Sequence, residues 1–357
     1  MLELIWIVFV IIACANLFFA PRLKAKKLVS IDLVSIVIPM RNEENNAREV
    51  IEDVLAQTYT SIEVLIVNDG STDKTAEILA TYGSNSKIKV FDIVKKDERW
   101  LGKSYAVNYA LARAQGHTII TIDADVRLDK SAVAALLAEK SVGKADLLTC
   151  FPLQTMKTFG ETLTVPLMTW SHIGFVPIPL VNNMRNENVS LANGQVLVMD
   201  KALYQKLGGY SQIKDRLNDD IALVRLVKGA GYKVRVVLGD KLVSCRMYEG
   251  YSSAKNGYGR TILINMLNKE LGLLLLLILI LLNLLPFVFV FFDSRLLFTC
   301  GLIITHRVLT SLSYRQNVLV NIVLHPLQML ALVDIIFVSY YKAKQSQVEW
   351  RGRKINT

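Results

Sequence analysis

Residues 119–126, Ile-Ile-Thr-Ile-Asp-Ala-Asp-Val, form an apolar, β-branched run that stops at two carboxylates one residue apart. The run reads as a buried strand. In extended chain residues i and i+2 point the same way, so Asp123 and Asp125 are expected side by side, repelling unless a cation stands near. Oxygen-only donors select Mg2+ or Mn2+, which keep several waters and bind substrate phosphates as well.

Outward from this stretch, residues 31–245 alternate between two patterns. Strands are expected at 33–39, 62–67, 88–94 and 118–122, and helices at 47–57, 73–81 and 103–115. Repeated βα units with short connections predict an α/β domain, a Rossmann-like and mostly parallel sheet with helices on both faces. Ligands of such sheets gather beyond the carboxyl ends of the strands. Three polar loops leave that rim: Arg41-Asn42-Glu43-Glu44, Asn68-Asp69-Gly70-Ser71-Thr72-Asp73 and Asp123-Ala124-Asp125. Each alone is ordinary turn and capping chemistry. Together on one edge they point to a site.

Asp219 and Asp220 open a further helix after Asn218. Acids there suit the helix dipole, and one near the rim can also serve as a general base. The chain has no Gly-x-x-x-x-Gly-Lys loop, which excludes a P-loop, and no Gly-x-Gly-x-x-Gly after a strand, which argues against nicotinamide or flavin. A metal on a carboxylate pair, without those loops, suggests a nucleotide diphosphate held through the metal.

The sequence is 52% hydrophobic, and the excess lies at its ends. Residues 4–20 carry no charge and precede a basic cluster, Arg22, Lys24, Lys26 and Lys27. That order predicts an uncleaved anchor with its N-terminus outside and the rest in the cytoplasm. Residues 271–292, 296–312 and 318–341 offer two or three further spans, and the basic tail asks for an even number of them. The net charge of +10 flanks these segments, so it suits an anionic membrane surface rather than nucleic acid. Cys14 and Cys300 sit in segments expected to face lipid. The four cysteines and four histidines show neither a disulfide framework nor ligand spacing. The expected organisation is an anchor (1–21), the α/β domain (31–245), an interfacial segment (246–270), a membrane region (271–341) and a basic tail (342–357). Residues 159–180, an apolar helix-like stretch, are expected either to dip into the interface and help admit the acceptor or to form irregular core.

The set VSIVIPMRNEE (34–44), VNDGSTD (67–73), LGKSYAVNYAL (101–111), TIDADV (121–126), ANGQVLVMDKALYQKLGGY (192–210) and NDDIALVRLVKGAGYKV (218–234) resembles glycosyltransferase family 2, whose fold is GT-A. The resemblance covers roughly residues 33–240. It implies that Glu43 and Asp69 line a uridine pocket, with Asp69 reading the uracil ring. Asp123 would contact the ribose or diphosphate and share with Asp125 the divalent metal. Pro39, Lys103 and Gly194 would also belong to the nucleotide-sugar site. Asp220 would deprotonate the acceptor, with Asp219 beside it where the family usually has Glu. The flanks resemble membrane enzymes that glycosylate lipids, although Tyr258 stands where those relatives commonly have Trp. No Gln-x-x-Arg-Trp occurs in 246–265, which counts against a polymerase. The resemblance thus implies inverting transfer of a hexose from a UDP-sugar, UDP-glucose first among them, to a membrane lipid such as a carotenoid carboxylate or a similar isoprenoid. The other readings are a polyisoprenyl-phosphate sugar transferase, another glycolipid synthase, or an inactive scaffold; the last predicts loss of the acids, and all are present.

Overall fold

The computed structural model describes every residue except 1, 27–31, 94–98, 101–102, 217, 261, 264–267, 345–347, 351–352 and 356–357. Lys27, Val94, Leu101, Gly102, Leu217 and Arg351 of the sequence reading therefore lie outside the described residues. The chain divides into two units, one comprising Pro21–Leu153 and Leu180–Cys245, the other Met1–Ala20, Gln154–Pro179 and Arg246–Thr357.

The first unit is built on a seven-stranded sheet. Its strands are β1 (Val34–Met40), β2 (Ile62–Asn68), β3 (Ile88–Asp92), β4 (Thr118–Ile122), β6 (Leu147–Phe151), β8 (Val196–Asp200) and β9 (Val234–Leu238), in the order β3-β2-β1-β4-β8-β6-β9. Only β8 runs antiparallel to its neighbours. Short strands β5 (Val126–Leu128) and β10 (Val243–Cys245) pair antiparallel beside it, and β7 is the two-residue Leu153–Gln154. Ile36 and Ile38 join the core that includes α2 (Ala47–Leu55) and α5 (Ala132–Val142). Val37, between them, joins the core that includes α4 (Ser104–Leu111) and α9 (Asp219–Gly229). Both faces are covered, which is why β1 reads as a continuous apolar run. Pro39 is tolerated in this central strand because pairing with β4 ends at Val37↔Thr121, before its missing N–H matters. The remaining helices are α3 (Thr75–Ala80), α7 (Ile178–Asn183) and α8 (Lys201–Lys206).

From β1 the chain moves outward to β2 and β3 and returns to β4 on the other flank of β1. That reversal makes a crevice at the strand ends. Because β8 is antiparallel, with Ile122 opposite Val196, the residues that enter β8 reach the same rim that β4 leaves.

The second unit is helical. It contains α1 (Leu2–Phe19), α6 (Phe159–Phe175), α10 (Gly250–Tyr258), α11 (Lys269–Phe289), α12 (Leu296–Ser313), α13 (Val318–Val323) and α14 (His325–Lys344), followed by the hairpin strands β11 (Val348–Trp350) and β12 (Arg353–Ile355). Among the described residues three helices, α1, α11 and α12, are long and apolar enough to cross a membrane. Phe18, Phe19, Leu274, Leu275 and Leu281 on them are exposed, as lipid-facing side chains are.

Two expectations change here. The segment 318–341 is divided at Leu324, and Pro326 falls in the first turn of the new helix, where its missing N–H costs nothing. Residues 159–175 form one regular helix, capped by Thr158 and grouped with the helical unit rather than with the sheet. Cys300, within a candidate span, is buried. All four cysteines are free.

Candidate functional site

Strand β4 ends at Ile122, and the Asp123 N–H is taken by the Gln195 carbonyl at 2.9 Å, which fixes the entry to β8 against the exit of β4. A turn follows, closed by Val126 N–H to Asp123 O at 3.1 Å. Asp123 and Asp125 therefore do not lie side by side on an extended strand, as their spacing predicted. The turn sends them to different partners.

Asp123 pairs with the Lys103 ammonium, which also donates to the Gly194 carbonyl at 2.9 Å. Lys103 comes from the start of α4 and is about one-fifth exposed, at 19%. Burial works against its charge, but Asp123, Asp219 and Asp220 outweigh that and hold its pKa above the usual lysine value.

Asp125 is placed differently. Antiparallel pairing sets Cys245 opposite Val126, so the thiol reaches the Asp125 carboxylate, while Gln195 Nε2 donates to Cys245 Sγ at 2.7 Å. The other oxygen, Oδ1, is buried with no hydrogen-bond partner. Burial first, then the charges of Asp123 and Glu43, push the carboxyl up to about 7. A buried, half-satisfied carboxylate next to two more acids is the environment a divalent cation relieves. Among the described residues no three His, Cys, Asp or Glu side chains converge to hold a metal by themselves. That suits an ion such as Mg2+, which takes one or two carboxylates and completes its shell with water and phosphate oxygens.

On the far side of the cluster, α9 begins with Asp219 and Asp220. Asp219 Oδ2 accepts the Ser104 hydroxyl at 2.9 Å, and burial, opposed by Lys103, leaves its carboxyl raised to about 6. Asp220 packs on Gly194 and accepts the Ile221 N–H at 2.7 Å.

Glu43 and Asp69 complete the rim at the β1–β2 corner. Both are buried. Glu43 Oε2 accepts from Asn46 Nδ2 at 2.9 Å, and its N–H reaches Thr75 Oγ1 at 2.8 Å. The Asp69 N–H bonds the Met40 carbonyl at 2.8 Å, and Arg41 clasps the Asp69 and Gly70 carbonyls at 2.6 and 3.1 Å. Gly70 takes φ +63°, a left-handed turn that suits glycine.

The structure thus brings Lys103, Asp123, Asp125, Gly194, Asp219 and Asp220 into one electrostatic cluster. Glu43 acts on Asp125 from the loop after β1, while Pro39 lies near the end of β1 and Asp69 just past the end of β2. Three participants were missed in the sequence. Ser104 is adjacent to Lys103 and one helical position inside α4, a legible place for a partner. Gln195 and Cys245 had no such signal, because only the β5–β10 pairing brings residue 245 to residue 125.

Residues 35–208 match the model of Glycosyl transferase family 2. The chain is 28% identical to the 4,4'-diaponeurosporenoate glycosyltransferase of Staphylococcus aureus (strain USA300), over 96% of this chain and 94% of that one. A solved structure, a mannosyltransferase from Pyrobaculum calidifontis in complex with GDP-Man and Mn2+, superposes with a TM-score of 0.52 at 13% identity, covering 98% of this chain and all of that one. At that identity the superposition speaks for the fold alone, and the fold is GT-A. Residues 35–208 are a family 2 glycosyltransferase domain.

Proposed function

We propose that this family 2 glycosyltransferase domain moves a hexose from a UDP-sugar, UDP-glucose first among them, to a membrane-lipid acceptor, by a single inverting displacement. The observation that carries the reading is the buried, unpartnered Asp125 Oδ1 beside the Lys103–Asp123 pair at the sheet rim. The acceptor class proposed is a carotenoid carboxylate or a similar isoprenoid lipid. It is supported by the activity for which the S. aureus relative is named and by the three apolar helices.

In this reading Glu43 and Asp69 line the uridine pocket, with Pro39 at its edge. Asp125, with Asp123, would hold Mg2+ or Mn2+, which when bound neutralises charge on a departing diphosphate. Lys103 stays charged because its acids outweigh its burial, so it offers a second fixed positive group to the same phosphates. Gly194 leaves room for the sugar against Asp220. Asp220 accepts the proton of a hydroxyl acceptor, a role typically worth about 10²–10⁴-fold. Asp219, tied to Ser104, keeps the start of α9 and Lys103 in register. An acceptor that is already a carboxylate is ionised at neutral pH and needs no base.

The test is to incubate membranes containing the protein with radiolabelled UDP-glucose, other nucleotide sugars and lipid extracts, then resolve labelled lipids. Label in a carotenoid ester supports the reading, and label only in a polyisoprenyl phosphate replaces it with the lipid-carrier alternative. No labelled lipid from any donor contradicts both.

A further inference from the structure

We propose that the helical unit contains an oxyanion-binding site, centred on Arg307 of α12, that takes the anionic headgroup of a membrane lipid. The proposal rests on reading the protein as an enzyme of membrane lipids and names the class of headgroup the helical unit would hold.

Arg307 is 2% exposed and lies in one of the three helices able to cross a membrane. An ionisable side chain there is costly and needs a partner. Its partners are neutral oxygens: Gln328 Oε1, and the Asn321 carbonyl at 3.5 Å from Nε. The ion pairs described in this unit belong to Arg246, Lys255 and Arg295 instead. Gln328 is held in that orientation, because its amide nitrogen donates to Thr162 O at 2.9 Å and to Asn321 Oδ1 at 3.2 Å. A guanidinium carries five N–H donors, so two neutral acceptors leave it under-satisfied and its charge uncompensated.

A second observation comes from His306, the residue before Arg307 in α12. Trp6 and Trp170 are buried, and their indole N–H groups, which can only donate, have no hydrogen-bond partner. Both rings stand edge-on to His306, with centroids 5.6 and 6.3 Å away. His306 Nε2 bonds the Gly174 carbonyl at 3.1 Å, while Nδ1 is buried without a partner. His306 and Arg307 are consecutive and carry this polar layer across the helix. Among the described residues no acid stands beside the Arg307 charge and no acceptor meets the two indole N–H groups, so a group that answers them brings acceptor oxygens and negative charge. A carboxylate or a phosphate monoester fits. The setting, within a candidate span whose neighbours expose large apolar side chains, assigns that group to a lipid rather than to a free ion.

The experiment uses the purified full-length protein in detergent, without sugar donor. Retinoate and retinol share one polyene and differ only in the headgroup. Both quench tryptophan, and Trp6 and Trp170 lie at the site. Retinoate is expected to half-saturate at a concentration at least about tenfold below retinol. Arg307→Gln should erase that difference with retinol binding unchanged, and Arg307→Lys should keep part of it. Equal binding of retinoate and retinol by the unmodified protein overturns the proposal, and needs no variant to fold. An undiminished preference in Arg307→Gln overturns it too. Displacement of retinoate by an equal concentration of inorganic phosphate overturns the lipid assignment and leaves a free-anion site, whereas dodecyl phosphate competing where inorganic phosphate does not supports it. Because no donor is present, retinoate binding without any lipid glycosylation contradicts the proposed function alone. Efficient glycosylation with no headgroup preference in binding contradicts this site alone.

Discussion

The Asp220 side chain lies directly against Gly194: a β-carbon at residue 194 would stand 3.1 Å from the Asp220 Cβ. Gly194→Ala must therefore shift Asp220 by a few tenths of an ångström. Because misplacing a reacting group is costly, turnover should fall by roughly 10–100-fold while the thermal midpoint changes little. Steady-state kinetics beside a melting curve checks this. Unchanged turnover would remove Asp220 from the reacting geometry.

Lys103 neutralises Asp123 and, through space, Asp219 and Asp220. Lys103→Met leaves these acids facing one another, a loss of roughly 2–3 kcal/mol in stability for a charged pair that is partly exposed. Activity should fall below detection with any nucleotide sugar. Chemical denaturation measures the first effect. A variant as stable as the parent would mean that the acids are solvated rather than clustered.

Asp125 gives the pH dependence its sign. Its carboxyl titrates near 7 in the folded protein, above its unfolded value, so the folded state holds the proton more tightly. In metal-free protein this group's contribution to stability declines as pH rises from about 4 through about 7. Asp125→Asn should remove that decline and melt higher than the parent at pH 8 in chelator. Added Mn2+ should raise the parent's midpoint at pH 8 and leave the variant's unmoved. Equal Mn2+ shifts in both proteins would take the metal away from Asp125.

The two acids of α9 can be separated by acceptor. Asp220→Asn should cut transfer to a hydroxyl lipid by about 10²-fold or more and only weaken transfer to a carboxylate lipid. Asp219→Asn, which loses the charge facing Lys103, should slow both acceptors alike. The comparison is of kcat for each lipid with saturating donor. The reverse pattern would make Asp219, whose carboxyl titrates near 6, the base.

Much of this was legible because strands buried on both faces leave runs rich in β-branched residues, as β1, β2 and β4 do. The rim followed from topology, and with it the convergence of the loops after Met40, Asn68 and Ile122. What the chain hid was set by tertiary pairing. The turn between Asp123 and Asp125 is imposed by the Gln195 carbonyl and by β10, neither of which is near in sequence. Residues 159–175 were ambiguous because Pro166 sits inside a helix, where packing rather than propensity decides. The break before His325 was ambiguous for a related reason, since a proline inside an apolar stretch either kinks a helix or starts one.

The central claim is that the Asp125 cluster drives sugar transfer to lipid, and one measurement bears on it most directly. Membranes bearing the protein or its Asp125→Ala variant, at matched expression, are given radiolabelled UDP-glucose with Mn2+ and a carotenoid-acid lipid. Organic-phase label is then counted. The account predicts label with the parent, abolished by chelator and absent with the variant. Label undiminished by Asp125→Ala would contradict it.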